Sequence, residues 1–119
     1  MVGRLRADQE LPPGCEGLIY EAFPRGELGL QYVGSFIRQG VDTTPRDAFS
    51  KVLYRARKAT TGELARVCQR HPLMGSWDVR VLERIVDLRH PAEVADAKQR
   101  WLLDLQPTLN TRQSVAEGC

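Results

Sequence analysis

The stretch Leu18-Ile19-Tyr20, followed twelve residues later by Tyr32-Val33-Gly34, decides the fold of this 119-residue chain. Each run is short and apolar and carries one tyrosine, and the connection between them contains Pro24, Gly26 and Gly29. Proline and glycine are typical turn residues, and two strands joined by so short a link favour an antiparallel hairpin. The predicted strands cover residues 17–23 and 29–36, and the predicted turn covers residues 24–27.

Two helices are predicted after the hairpin. Thr44-Pro45 is a helix start, because the hydroxyl caps a free backbone N–H and proline suits the first helical position. Apolar residues recur at helical spacing over residues 48–56, so one face of the first helix packs on the sheet while the opposite side is basic. Residues 60–62 break this helix. A second helix covers residues 63–70 and ends at His71-Pro72, because proline disfavours helical geometry in the residue before it.

A third strand and a last helix complete the predicted domain. Apolar and polar residues alternate over residues 76–85, which predicts a strand. Pro91 opens a helix that runs to residue 105, and Pro107 ends it. The element order is β-β-α-α-β-α, an α/β (α+β) fold whose small, mainly antiparallel three-stranded sheet is flanked by helices. The predicted segments are a polar leader, residues 1–16, a domain, residues 17–110, and a polar tail, residues 111–119.

Length and composition indicate one intracellular domain. Apolar residues make up 42% and charged residues 27% of the chain, which is an ordinary globular balance. No window of about 18 uncharged apolar residues exists, so no membrane span is expected. The first ten residues lack the apolar core of a secretory signal. The three cysteines, Cys15, Cys68 and Cys119, have no metal-ligand spacing, so reduced thiols in an intracellular compartment, cytoplasmic or nuclear, are expected.

Positive charge is concentrated in the middle of the chain. Residues 35–70 carry eight basic and three acidic side chains, whereas the segments on either side are slightly negative. A basic segment suits an anionic partner such as nucleic acid, and DNA is the expected partner. The alternative is that these charges form only the solvated face of one helix.

The C-terminal part of the chain adds a second pattern. The run from Trp101 to Asn110 begins with one aromatic and two apolar residues. It then contains Pro107 and ends at the asparagine. Together with the two tyrosine runs, it resembles the GIY-YIG nuclease family over about residues 17–110. The element order predicted above is also that of the GIY-YIG fold.

This resemblance implies a DNA endonuclease of mobile-element type that hydrolyses phosphodiester bonds with Mg²⁺ or Mn²⁺. In the family, two tyrosines on neighbouring strands project into one site, one of them close to the attacking water; the matching residues are Tyr20 and Tyr32. The asparagine after the last helix, here Asn110, supports the site. Such chemistry requires a base, a cation for the developing charge, and a Lewis acid at the leaving oxygen.

The resemblance also implies an arginine on the first helix, with a histidine or tyrosine one turn later. Lys51 with Arg55 preserves the apolar register best. Ser50 with Tyr54 supplies the tyrosine without the arginine. Arg46 with Ser50 supplies the arginine but places Asp47 where an apolar residue is expected. Arg55 and Tyr54 are therefore candidate catalytic residues. The candidate nucleic-acid contacts are Arg46, Lys51, Arg57, Lys58 and Lys98.

Lys98 stands where the family has its metal-binding glutamate. A protonated lysine cannot coordinate a divalent cation, so reduced or lost activity is expected, with Lys98 contacting phosphate instead. Glu93 becomes the candidate metal ligand if the last helix starts elsewhere.

His71, His90 and Glu83 are not expected to be catalytic, because the histidines lie beside prolines in loops and the glutamate suits a salt bridge. Two other functions remain open: a non-catalytic nucleic-acid-binding module on the same fold, and an unrelated small α/β interaction domain.

Overall fold

Strand β1 (Cys15–Pro24) is the centre of a three-stranded antiparallel sheet in the computed structural model, which describes residues 10–110. Strand β2 (Tyr32–Gln39) pairs along one side of β1, and β3 (Trp77–Ile85) pairs along the other. The predicted order β-β-α-α-β-α and the α+β fold are confirmed. The helices are α1 (Pro45–Lys58), α2 (Glu63–Arg70) and α3 (Pro91–Leu105), and a single 3₁₀ turn (Met74–Ser76) precedes β3.

Helix bounds were predicted more accurately than strand bounds. Thr44 caps α1 as expected: its hydroxyl accepts from the Asp47 N–H, and the Asp47 carboxylate accepts from the Thr44 N–H. Helix α3 begins at the predicted residue, Pro91. The shifted start that would make Glu93 the metal ligand therefore does not occur. Within residues 10–110, no helix is long and apolar enough to cross a membrane.

The predicted start of the second strand is wrong. Residues 25–31 form a connecting loop instead, and β2 begins only at Tyr32. Gly29 has a φ of +86°, which is not extended backbone. Gln31 is held by the segment after α3, because its N–H donates to Thr108 Oγ1 and its carbonyl accepts from the Leu109 N–H. These bonds hold Gln31 just before β2, whose pairing with β1 begins at Tyr32.

One core lies between the sheet and the first two helices. Tyr20 and Ala22 of β1 face it, together with Phe49 and Leu53 of α1 and Val67 of α2. We call this group the α1-side core. Its other buried members are Ala56, Cys68, Trp77 and Leu109.

A second core, the α3-side core, fills the opposite face of the sheet. Ile19 of β1 and Val33 of β2 pack there against Val94, Ala97 and Leu102 of α3. Because successive strand residues point to opposite faces, β1 is buried on both sides and reads as a nearly continuous apolar run.

The predicted polar leader is wrong at its C-terminal end. Leu11 is buried in the α3-side core, and its N–H donates to the Arg89 carbonyl. Cys15 and Glu16 belong to β1, which starts two residues before the predicted strand. The remaining leader, residues 1–9, and the predicted tail, residues 111–119, lie outside the described residues.

Two glutamates of the central strand are buried and paired with arginines. Glu16 accepts hydrogen bonds from Arg38 of β2 and Arg84 of β3, so one carboxylate bridges all three strands. Glu21 accepts from Arg80 of β3, with its second oxygen 2.6 Å from Gln31 Nε2. Hydrogen bonding by Arg84 lowers the pKa of Glu16; burial opposes this, and Arg38 adds to it.

Candidate nucleic-acid interface

Tyr20 and Tyr32 lie on adjacent strands and share the face of the sheet that α1 covers. In the register of the sheet, Tyr20 pairs with Gly34 and Ala22 pairs with Tyr32, so both rings point to the same side. The ring centroids are 6.3 Å apart, and the Tyr32 ring lies 5.7 Å from that of Phe49. The predicted placement of the tyrosine pair is confirmed.

Tyr20 is enclosed rather than presented to a substrate. Only 1% of its surface is exposed, because the rings of Tyr32, Phe36 and Phe49 surround it. Burial, reinforced by Tyr32, raises the pKa of Tyr20 far above its ordinary value of 10.0. A phenolate at this position is therefore excluded at neutral pH in the folded protein.

Tyr32 and Arg55 line a common cavity. It has a volume of about 370 Å³ and lies between α1, α2 and the chain that follows α3, which contributes Leu109. Burial and Cys68 raise the pKa of Tyr32, and the Arg55 guanidinium acts in the opposite direction. Of the basic residues proposed for the family's arginine, Arg55 is thus the one beside a motif tyrosine. Tyr54 does not line this cavity and is 52% exposed on the outer side of α1.

Two arginines of α1 are fixed by backbone carbonyls. Arg46 donates to the carbonyls of Met74 and Trp77, and Arg57 donates to the carbonyl of Pro72. These bonds orient both guanidinium groups without neutralising their charge, because a carbonyl oxygen carries no formal charge. Both side chains therefore serve as pre-oriented surface cations.

The other three cations of α1 donate to no backbone carbonyl within the described part of the chain. Lys51 and Arg55 are exposed. Lys58 lies over the Tyr54 ring at 3.9 Å from its centroid, with Nζ 2.5 Å from the hydroxyl. This cation–π contact stabilises the ammonium at the surface without an anion. Tyr54 is accordingly a support for Lys58 rather than a neighbour of Tyr20 or Tyr32.

The α1 cations differ from almost every other basic residue of residues 10–110 in lacking a carboxylate. Eight arginines elsewhere lie within 4 Å of an Asp or Glu oxygen. None of these ion pairs includes a basic residue of α1, and none includes Lys98. The eight paired arginines are Arg25, Arg38, Arg66, Arg70, Arg80, Arg84, Arg89 and Arg100.

Lys98 lies in a different groove from Tyr32 and Arg55. Its groove runs between β2 and α3, and it shares no lining residue with the first cavity. The side chain is half-buried, and burial lowers its pKa. The geometry thus separates Lys98 from the Tyr32–Arg55 pair that the resemblance would place beside it.

The described residues do not fit a divalent metal site. Glu93 Oε2 accepts from the backbone N–H groups of Arg89 and His90, so this carboxylate caps α3. At the position expected for the ligand, Lys98 offers an ammonium group. Within residues 10–110, no group of three or more His, Cys, Asp or Glu side chains is arranged to hold an ion. The expectation of Mg²⁺ or Mn²⁺ therefore gains no support from the side chains.

Asn110 holds the end of the described chain against β2. Its side-chain amide donates to the Val33 carbonyl at 2.8 Å, and its oxygen accepts from the Val33 N–H at 2.6 Å. The side chain thus mimics a paired strand residue. Its contribution to the site is to fix β2, which carries Tyr32.

The residues that were not expected to be catalytic have structural partners. Glu83 lies 3.6 Å from Arg100 and accepts from Trp101 Nε1. His71 Nε2 is 2.8 Å from Glu27, where Arg70 also binds, so the end of α2 is tied to the loop after β1. Cys15 and Cys68 are free and buried, and burial raises the pKa of Cys68 to about 11.

Sequence reasoning missed the carbonyl anchors of Arg46 and Arg57 and the edge of β2 beside Lys98. The anchors depend on backbone carbonyls 15 to 31 residues away, which no spacing rule identifies. A signal for the paired arginines did exist, since Glu16 and Glu21 interrupt an otherwise apolar strand and buried carboxylates require cationic partners.

Comparison with known protein families, curated proteins and solved structures found no match to this chain. The GIY-YIG resemblance therefore stays a prediction that rests on the residues quoted above.

Proposed function

We propose that this domain binds the phosphate backbone of nucleic acid through the basic residues of α1, on a fold of GIY-YIG type. The observation that carries the proposal is the set of five α1 cations with no carboxylate oxygen within 4 Å among the described residues, in a domain whose other described arginines are paired. A cationic surface attracts phosphates and gains free energy by releasing their counterions. These five residues are Arg46, Lys51, Arg55, Arg57 and Lys58.

The proposal is for binding rather than cleavage. Tyr20 is buried, Glu93 is occupied as a helix cap, and Lys98 lies in a separate groove. Phosphate contacts carry no sequence information directly. We therefore expect an affinity that varies little with base sequence and falls with salt.

The test is fluorescence anisotropy with a labelled 20-base-pair duplex of arbitrary sequence, titrated at several salt concentrations. Changing Lys51, Arg55 and Lys58 together to Gln should lower the affinity at least about tenfold. It should also reduce the salt slope by about one unit for each lost phosphate contact. The matched control changes Arg66, Arg89 and Arg100 to Gln, which removes the same charge from ion-paired positions at the surface.

The control variant should bind nearly as tightly as the wild type at equal ionic strength. An equal loss in both triple variants would mean that only net charge matters, and the proposal would fail. Wild-type affinity that does not change between low and moderate salt would also contradict it.

Phosphodiester hydrolysis is a second candidate function. One observation favours it: Arg55 lies beside Tyr32 in a cavity, and a guanidinium there could stabilise charge on a phosphate. A plasmid-nicking assay with Mg²⁺ or Mn²⁺ tests this candidate. Nicking that is lost in Tyr32→Phe and Arg55→Gln, but retained in Arg66→Gln, supports hydrolysis; salt-dependent binding with no nicking supports binding alone.

A further inference from the structure

The outer edge of β2 is partly covered and partly open. Asn110 covers the edge at Val33, whose N–H and carbonyl both point away from β1. Alternate residues of an antiparallel strand point their backbone groups to the same side. The N–H and carbonyl groups of Ser35 and Ile37 therefore point to this edge as well, and no backbone group within residues 10–110 pairs with them there.

A groove of about 480 Å³ runs along this open edge. Its strand wall is formed by residues 35–37, and because consecutive strand residues face opposite ways, a groove that touches all three must follow the edge of the strand. Its helix wall is one side of α3. The helix residues that line it are Pro91, Val94, Ala95, Lys98, Gln99 and Leu102.

Lys98 places a positive charge in this groove. The side chain is half-buried and has no carboxylate within 4 Å among the described residues. A half-buried ammonium without an anion is costly, and burial accordingly lowers its pKa. The neighbouring surface is apolar, because Ile37, Val94 and Leu102 also line the groove.

We propose that this groove binds an extended peptide segment of a partner protein, which adds to β2 as a further strand and places a carboxylate on Lys98. A peptide backbone supplies both the donors and the acceptors that Ser35 and Ile37 require. Every second side chain of the peptide would face the apolar wall of the groove. The α3 residues that line the groove lie between positions 91 and 102, about 17 Å of helix, a length that corresponds to about five residues of extended chain.

Two other occupants match the groove less well. Nucleic acid would bring phosphates to Lys98 but few groups able to pair with both the N–H and the carbonyl of Ser35 and Ile37. A second copy of the domain, paired through its own β2, would bring Arg38 as the only charged residue of that strand. That cation cannot neutralise Lys98, and charge complementarity thus favours an acidic peptide.

The experiment uses an array of randomised eight-residue peptides in which one central position is fixed as Glu, Gln or Lys. The labelled full-length protein should prefer the Glu set, and the strongest Glu peptides should protect the Ser35 and Ile37 amides from hydrogen exchange. Lys98→Gln should weaken binding to these peptides about tenfold or more, because it removes one partner of a half-buried charge pair. Lys98→Glu should shift the preference to the Lys set.

Two controls separate this proposal from the nucleic-acid proposal. Arg100→Gln, on α3 but outside the groove, should keep the Glu preference. The triple α1 variant should also keep it while losing duplex binding, so either proposal can fail alone. The peptide proposal is overturned by equal binding of all three sets, by an absence of binding, by a Glu preference that Lys98 variants retain, or by displacement of the peptide with duplex DNA.

Discussion

The tyrosine pair depends at residue scale on one glycine. A Cβ built on Gly34 would overlap the ring and hydroxyl of Tyr20, which lies directly across from it in the sheet. Tyr20 therefore reaches its buried position by crossing over a residue without a side chain. The final glycine of Tyr32-Val33-Gly34 is required by packing, independently of any catalytic role.

Gly34→Ala should destabilise the domain by about 1–3 kcal/mol, because the added methyl forces a buried aromatic ring to move. Thermal unfolding followed by circular dichroism measures the effect. Gly75→Ala is the matched control, since nothing lies within 4 Å of the Cβ built there. Equal melting temperatures for the two variants would show that the Tyr20 ring has room to shift.

The sequence predicted which residues share a side of the sheet but not how accessible they are. Alternation along a strand places Tyr20 and Tyr32 together, because the period of two is a local property. Exposure depends on Phe36 and Phe49, which reach Tyr20 from two other elements. Local patterns contain no information on that enclosure, so a buried Tyr20 could not be foreseen.

The segment after α3 stabilises β2 at the scale of elements. Thr108, Leu109 and Asn110 each bond to β2 or to the loop before it. Together these bonds cover the edge at residues 29–33, and within residues 10–110 the later part of that edge stays open.

Asn110→Ala should cost about 1–3 kcal/mol, because the buried N–H and carbonyl of Val33 both lose their partner. Chemical denaturation gives the free energy of unfolding. Thr108→Val is the comparison: its hydroxyl also joins two backbone groups, but at an exposed position where water can replace it. A loss for Thr108→Val as large as that for Asn110→Ala would argue against burial as the cause.

Sequence patterns predicted the bounds of helices more accurately than the bounds of strands, and the reason is physical. The start of α1 is determined by Thr44-Pro45 and Asp47, which lie within three residues of each other. The limits of β1 and β2 depend on partners up to 77 residues away, such as Asn110 for Val33. Lys98 was likewise assigned a role from its position in a motif, whereas its actual neighbours belong to β2.

At the scale of the whole molecule, the sheet is joined across its width by Glu16. Because the folded-state pKa of Glu16 is depressed, the stabilisation from its bonds to Arg84 and Arg38 is present above the ordinary carboxylate value of 4.5. It is lost as the pH falls through the lower, folded-state pKa. Acid should therefore weaken this side-chain bridge, while the backbone pairing of β1 with β2 and β3 remains.

Glu16→Gln should lower the melting temperature at pH 7 by several degrees, because it leaves two arginines without their anion. Its stability should also vary less than that of the wild type between about pH 5 and pH 3. Glu10→Gln, which removes an exposed ion pair with Arg89, is the control and should change little. Parallel stability curves for wild type and Glu16→Gln over that pH range would contradict the prediction.

The path of the chain around the edge of β2 has a consequence for its synthesis. Helix α3 packs on one side of the sheet, yet Leu109, only four residues after it, completes the core on the other side. A ribosome makes residue 109 after every other member of that core, so the core lacks its last residue until then. A nascent chain halted before this point lacks both Leu109 and the bonds from Asn110 to Val33, so we expect it to be cut by proteases faster than the complete domain.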